Sequence, residues 1–394
     1  MFESLKVLPP DAIIGIMALF RADQDPRKVD LSVGVYQDDH GRTPVLECVK
    51  RAEREIFETQ DTKSYVGIAG NPGFNRGMEA LVFGHDHAAL KDGRLATVQT
   101  PGGSGAICVV GHLIHRAKPD TTVYLSDPSW PNHLPLLRLA GLRLEHYPYY
   151  DHHEHRVDFE SMLKTVNGMK AEDVMLIHGC CHNPCGADLT QAQWRELAQA
   201  FERTGAVPFV DLAYQGLAEG LEPDAYGVRV MAEHCPEVLV VSSCSKNLGL
   251  YRERVGAASV VSANRAQRDA AFSNLSNVAR GIYSMPPDHG AAIVDRVMHT
   301  PELRTLWVSE LDAMRDRING LRQLLVDELK ERGADFAFVA NERGMFSFLG
   351  ISKEQVVRLR EEFHVYMVES SRVNIAGINK GNVDYVVDAI AAVL

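Results

Sequence analysis

The sequence predicts an α/β protein with a large domain on a mainly parallel sheet flanked by helices, plus a smaller α/β domain. Three observations lead there. Short apolar runs alternate with amphipathic stretches along the first 300 residues. The runs are apolar on both faces, as strands buried inside a parallel sheet are. After about residue 300 the pattern changes to one long helical stretch and a short βαβ-like tail. In chain order, strand-like runs occur at 95–99, 122–126, 174–178, 208–211, 238–242 and 257–261. Helical patterns at 105–116, 131–140, 189–203 and 225–233 separate most of them. A long helix over 301–332 reads as the connection to the second domain, whose strands fall near 345–349 and 373–376. The first dozen residues read as an arm that must pack on something else. There is no internal repeat and no low-complexity segment.

Composition narrows the function classes. The chain has 394 residues, 41 Lys+Arg against 52 Asp+Glu, and a formal net charge of −11. That balance speaks against a large nucleic-acid footprint, which needs clustered cations. No uncharged apolar run reaches the length of a membrane span. The N-terminus carries Glu3 and Asp11 and is broken by Pro9-Pro10, unlike a secretory signal. Seven cysteines, an odd number, fit a reducing cytoplasm better than a disulfide framework.

Gly and Pro cluster at the carboxyl ends of four predicted strands: TPGGSGA (100–106), SDPSWPNH (126–133), HGCCHNPCG (178–186) and DLAYQG (211–216). In open α/β sheets ligands bind in the crevice at those ends. Gly102-Gly103-Ser104-Gly105 lies between a strand and a helix, where backbone N–H groups can approach an anion. The dinucleotide fingerprint fails, since Cys108 stands at the third glycine, and there is no P-loop. A phosphate cup, a plain tight turn and a nucleophile elbow centred on Ser104 all remain open at this motif.

The segment VVSSCSKNLGLYRERVG (240–256) carries more information. Lys246 follows a strand and small polar residues. A lysine desolvated among cations loses its proton readily and can form a Schiff base with a carbonyl cofactor; an ordinary surface lysine is the alternative. Arg254, Ser243 and Ser245 could together grip a phosphate. Asp211 ends an apolar strand and needs a cation opposite, whether a protonated pyridine nitrogen, Lys, Arg or a metal. Asn183 and Tyr214 could reach the same ligand, and Tyr65 and Trp130 add polar-tipped or stacking surface. Arg372 and Arg280 are each a bidentate carboxylate clamp or a structural arginine.

The crowded His178, Cys180, Cys181, His182 and Cys185 lack the paired C-x₂-C spacing of structural zinc. Cys180 and Cys181, read as neighbours on a strand, would face opposite sides, so they are expected to be small core residues and no metal is expected. Asp151-His152-His153-Glu154-His155 reads as a solvated loop.

Taken together and in order, GGSG, SDPSWPNH, HGCCHNPCG, DLAYQG, SCSKNLGLYRERVG, YSMPP, GMFSF and SRVNIAG resemble the class I aspartate/aromatic aminotransferases, fold-type-I enzymes that use pyridoxal 5′-phosphate (PLP). The similarity runs from about residue 11 to the end. It implies a homodimer with a shared active site: an arm over 1–11, a large PLP-binding domain over 44–311, and a small domain joining 12–43 to 312–394. By motif, Lys246 would carry PLP and Asp211 would pair with its pyridine nitrogen. Tyr214 and Asn183 would bond the ring's phenolic oxygen. Trp130 would stack on the ring, and His133 would support Asp211. Gly103, Ser104, Ser243, Arg254 and the other subunit's Tyr65 would hold the phosphate. Arg372 would bind the substrate α-carboxylate and Arg280, from the other subunit, the distal one. Gly34 and Phe346 would line the closing small-domain side.

The activity implied is transamination of tyrosine, phenylalanine and/or aspartate with 2-oxoglutarate, ping-pong through pyridoxamine phosphate, in the cytoplasm, with no nucleic acid, membrane or metal. An aspartate-specialised aminotransferase is the alternative, a serine hydrolase through Ser104 a remote one. Two departures stand out: Cys185 occupies a position usually Thr, and Met285 replaces a polar residue beside Arg280, which would loosen its polar network and admit an aromatic ring. TGAVPFVDLAYQG with SCSKNLGLYRERVG is nearest the bacterial aromatic-amino-acid members.

Overall fold

The computed structural model describes residues 1–7 and 12–394, so residues 8–11 of the expected arm lie outside the described residues. In the rest of that arm, Phe2–Ser4 form one 3-10 turn, and Phe2, Leu5 and Val7 are exposed. The backbone divides into two compact units, Pro44–Arg317 and Met1–Thr43 with Ile318–Leu394.

The larger unit is built on seven strands: β1 (Leu95–Pro101), β2 (Thr122–Asp127), β3 (Arg143–Pro148), β4 (Val174–His178), β5 (Val207–Leu212), β6 (Val238–Ser243) and β7 (Val255–Val261). Their order across the sheet is β1-β7-β6-β5-β4-β2-β3. Only β7 runs antiparallel to its neighbours, pairing Val255 with Pro101 and Gly256 with Ser243. The other pairings are parallel. Strands β4 and β6 are buried along their whole length, which is why they read as continuous apolar runs.

Strand β3 escaped the sequence reading. It is an edge strand, mostly exposed, so its Arg143, Glu145 and His146 face water and no apolar run marks it. Helices α1 (Gly102–Ala117) and α2 (Arg265–Tyr283) share one hydrophobic core with the sheet, with Ile107 and Val110 of α1 and Leu275 of α2 meeting Val98, Leu176 and Val241. The helix expected over 189–203 is Gln191–Thr204. A reciprocal Thr190–Gln193 capping box starts it and left-handed Gly205 ends it. The pattern over 225–233 resolves into Leu221–Asp224 and Tyr226–His234.

The long helix α3 (Pro301–Glu331) begins in the larger unit, and from Ile318 it belongs to the smaller one. There β8 (Phe346–Phe348) pairs antiparallel with β9 (Arg372–Asn374), and Val29–Asp30 pair parallel with Val365–Tyr366. The strand expected over 373–376 stops at Asn374, because its side chain accepts the Ala376 N–H and starts a 3-10 turn. Among the described residues no helix is long and apolar enough to cross a membrane.

Candidate active site

The carboxyl ends of β1, β2, β4, β5 and β6 share one rim of the sheet, since these strands all run in one direction. Strand β7 runs the opposite way, so its first residue, Val255, and the preceding Arg254 reach that rim as well. Loops 102–106, 126–133, 178–186 and 211–216 and the segment 243–254 therefore converge.

At one place on the rim, α1 starts directly after β1. The first N–H groups of a helix have no intrahelical partner, and the macrodipole favours an anion there. Gly102 has a φ of +69°, and a Cβ on it would lie 2.5 Å from Arg254 Nη2. A Cβ on Gly103 would lie 3.4 Å from Ser243 Cβ. The Ser243 hydroxyl is 3.1 Å from Ser245 Oγ, to which Arg254 donates at 3.4 Å. A guanidinium, two hydroxyls and a helix N-terminus thus form one cup, whose donors suit a phosphate. Gly102→Ala is expected to destabilise the fold by about 1–2 kcal/mol through its left-handed backbone alone. Thermal unfolding measures that loss, and an unchanged Tm would remove the conformational argument.

Beside the cup stands Lys246, its Nζ 4.7 Å from the centre of the Tyr214 ring. Burial pushes its ammonium down to about 8; Arg254 acts in the same direction and Asp211 opposes. The neighbouring Asn247 is fixed on both sides: its amide donates to Gln215 O at 3.2 Å, and its carbonyl accepts from Trp307 Nε1 at 2.7 Å.

Asp211, buried near the end of β5, takes a 3.0 Å hydrogen bond from His133 Nε2. Burial pulls its carboxyl up, but the His133 bond, with His133 and Lys246 close by, outweighs it and holds it below the usual range. Behind it runs a column of buried rings. Ser129 Oγ is 2.9 Å from His133 Nδ1 and 3.4 Å from His178 Nε2. His178 and His182 rings lie 4.0 Å apart, and His182 stacks on Tyr149 at 4.1 Å. Burial, with the neighbouring His133, drives His178 down to about 3, so it is neutral at any ordinary pH. Trp130 stands edge-on to His133 at 5.2 Å, and Asn183 and Tyr214 are buried on the same rim.

The smaller unit holds its own group. Arg372 is buried, donates to Ser32 O at 2.7 Å and lies 4.4 Å above the Phe346 ring. Gly34 admits that ring: a Cβ there would sit 2.8 Å from Phe346 Cζ. Tyr65, 93% exposed, and Arg280, bonded to Ser284 Oγ, stand on the surface of the single chain.

The chain matches the family model "Aminotransferase class I and II" over residues 26–390. It is 48% identical to an aspartate aminotransferase of Escherichia coli and 46% identical to an aromatic-amino-acid aminotransferase of Paracoccus denitrificans, each match covering 100% of both chains. This chain belongs to the class I and II aminotransferases. Its structure superimposes on a crystal structure of the aromatic-amino-acid aminotransferase from Burkholderia pseudomallei, covalently bound to pyridoxal phosphate, with a TM-score of 0.98. That match has 42% identity and covers 100% of this chain and 99% of the other. Membership sets aside the hydrolase alternative at Ser104, which lies in the first turn of α1.

In this aminotransferase Cys180, Cys181 and Cys185 are buried, as small core residues should be, but the adjacent pair is not on a strand. Strand β4 ends at His178, so Cys180 and Cys181 lie in the loop beyond it, and Cys181 is left-handed with φ +50°. Asp188 organises this loop by accepting the N–H groups of Cys181 and His182 at 2.7 and 2.9 Å. Among the described residues no group of three or more His, Cys, Asp or Glu is arranged to hold a metal. Sequence reasoning passed over Ser129 and His178 as site residues, and Trp307 and Gln215 altogether. A usable signal existed for Ser129, which precedes His133 by one helical turn. None existed for Trp307, 61 residues beyond Lys246.

Proposed function

We propose that this aminotransferase binds PLP at Lys246 and exchanges amino groups between aromatic L-amino acids or L-aspartate and 2-oxoglutarate, as a cytoplasmic homodimer. The observation that carries the reading is a depressed lysine held between an anion cup and an ionised, buried carboxylate. The residues fit that cofactor: the cup supplies phosphate donors, Lys246 an amine for its carbonyl, and Asp211 an anion for its ring nitrogen. When bound, PLP supplies an electron sink for charge developing at the substrate Cα.

The remaining work falls to this chain. Asp211 would keep the cofactor's ring nitrogen protonated, and the His133 bond holds its carboxylate ionised for that task. Tyr214 and Asn183 would donate to the cofactor's ring oxygen, Trp130 would pack against its ring, and Gly103, Ser104, Ser243 and Arg254 would hold its phosphate. The amine of Lys246, once free, would take the proton from the substrate Cα and, as a general acid, deliver it to the cofactor's former aldehyde carbon. Arg372 fixes the α-carboxylate beside Gly34 and Phe346. Tyr65 and Arg280 act from the second subunit, Tyr65 on the phosphate and Arg280 on a distal carboxylate; their exposure on the single chain supports that assignment.

Steady-state kcat/KM for phenylalanine, tyrosine and aspartate with 2-oxoglutarate tests the substrate range. Aromatic activity negligible beside aspartate would leave the aspartate-specialised reading, which the 48% identity to the Escherichia coli enzyme favours. The half-buried Met285, apolar beside the Arg280–Ser284 pair, supports the broader range.

A pH effect follows from Lys246. Only the neutral amine captures a carbonyl, and its pKa is lowered to about 8. Capture of PLP by cofactor-free protein should therefore speed up about tenfold per pH unit below 8 and level off above it. Visible absorbance against time at each pH measures this; a rate independent of pH between 6 and 8 would contradict it.

A further inference from the structure

Outside the groups already described, one buried cation has no part in the reaction outlined above. Arg322, on the part of α3 that belongs to the smaller unit, is 1% exposed. Its guanidinium collects the segment leading into β8. Nη1 donates to Val339 O at 3.1 Å and to Ser347 Oγ at 2.6 Å, while Nη2 donates to Gly344 O at 2.8 Å and to Phe346 O. Glu342, 2% exposed, lies 3.5 Å from Nη1 and accepts the Ser347 hydroxyl as well, so the buried charge is paired. Burying a guanidinium is tolerated only when charge and donors are both answered, as they are here.

Two of the residues so gripped are Phe346 and Ser347, the first two of β8. Across β8–β9, Phe346 pairs with Asn374 and Phe348 with Arg372. The Phe346 ring sits in the space left by Gly34 and beneath the Arg372 guanidinium. A shift of the 342–347 segment would therefore move the ring and, with it, the surface on which Arg372 rests.

We propose that Arg322 is a positioning residue for substrate binding, holding Phe346 so that the Arg372 guanidinium presents its fork to the substrate α-carboxylate. The inference rests on the reading of Arg372 given above. A planar fork is required, because a lysine ammonium has three donors and cannot reach carbonyls on both sides of the loop at once.

The test uses the holoenzyme. Arg322→Lys is expected to raise KM about tenfold for aspartate, phenylalanine and 2-oxoglutarate alike, since all carry the α-carboxylate. It should lower kcat less than about threefold and leave the visible spectrum of bound PLP unchanged, because Lys246 and Asp211 belong to the other unit. In an Arg372→Lys background the same change should add less than about twofold. Unchanged KM values, or a lower Tm with unchanged KM, would overturn the proposal. If Arg322→Lys does not yield folded enzyme, Ser347→Ala, which removes one hydroxyl that accepts from Arg322 and donates to Glu342, decides on the same KM criterion. Arg372→Lys separates the two levels. Unchanged KM in that variant means the α-carboxylate reading itself fails, whereas raised KM there with wild-type KM in Arg322→Lys means only the positioning role fails.

Discussion

Lys246→Ala is expected to lower kcat by roughly 10⁴-fold or more while leaving the fold and phosphate-dependent PLP binding in place. On the proposed reading two functions would disappear with one amine: the covalent hold on the cofactor and the base that moves the Cα proton. The cup of Ser243, Ser245, Arg254 and the first turn of α1 lies on other residues, so binding should survive as a weaker, non-covalent association. Arginine does not rescue, because its guanidinium stays protonated at any working pH. Single-turnover mixing with aspartate, followed by absorbance, reads the loss directly. Transamination within tenfold of wild type would remove Lys246 from the mechanism.

The second large effect is expected at Asp211. Asp211→Asn keeps size and hydrogen-bonding capacity but removes the charge that, on the proposed reading, would face the cofactor's ring nitrogen. Unit charges 4 Å apart at an effective dielectric near 20 interact by about 4 kcal/mol. At 1.36 kcal/mol per tenfold, that is a fall of about 10³ in kcat/KM. The cost is concentrated in kcat, because the paired nitrogen matters most when charge develops at Cα. His133→Asn should cost far less, about tenfold, since it weakens the bond that keeps Asp211 ionised without removing the carboxylate. Comparable losses in the two variants would argue that His133 touches the chemistry itself; an Asp211→Asn enzyme retaining a tenth of its activity would sink the charge argument.

These expectations draw unequally on sequence and structure. Lys246, Asp211 and Arg254 were marked as candidates by their own surroundings: Asp211 ends an apolar strand, and Lys246 and Arg254 share a segment with Ser243 and Ser245. The strand-end loops were marked by Gly and Pro. Of the ring column behind Asp211 only His133 was marked, through the family resemblance, because histidines at 133, 178 and 182 look alike whether solvated or stacked. Only burial, which drives His178 down to about 3, separates the two states. The adjacent cysteines are buried as expected, but in a loop and not on a strand. Cys180 and Cys181 are apolar enough to pass as strand, and the end of β4 is set by the turn that Asp188 organises seven residues after Cys181.

Sequence by itself determined the α/β class, the rim on which the Gly- and Pro-rich loops gather, and the family. Those depend on local alternation, on turn residues and on motif order, all of which are short-range. Tertiary structure decided the rest. The antiparallel entry of β7 brings Arg254 to a rim otherwise made of strand ends. The packing of Phe346 into the space of Gly34 sets the seat of Arg372 across more than 300 residues of chain. The grip of Arg322 on the approach to β8 likewise becomes visible only with carbonyl directions in hand. Long-range contacts of this kind leave no period in the sequence, because their geometry is fixed by the packed core and not by neighbouring residues.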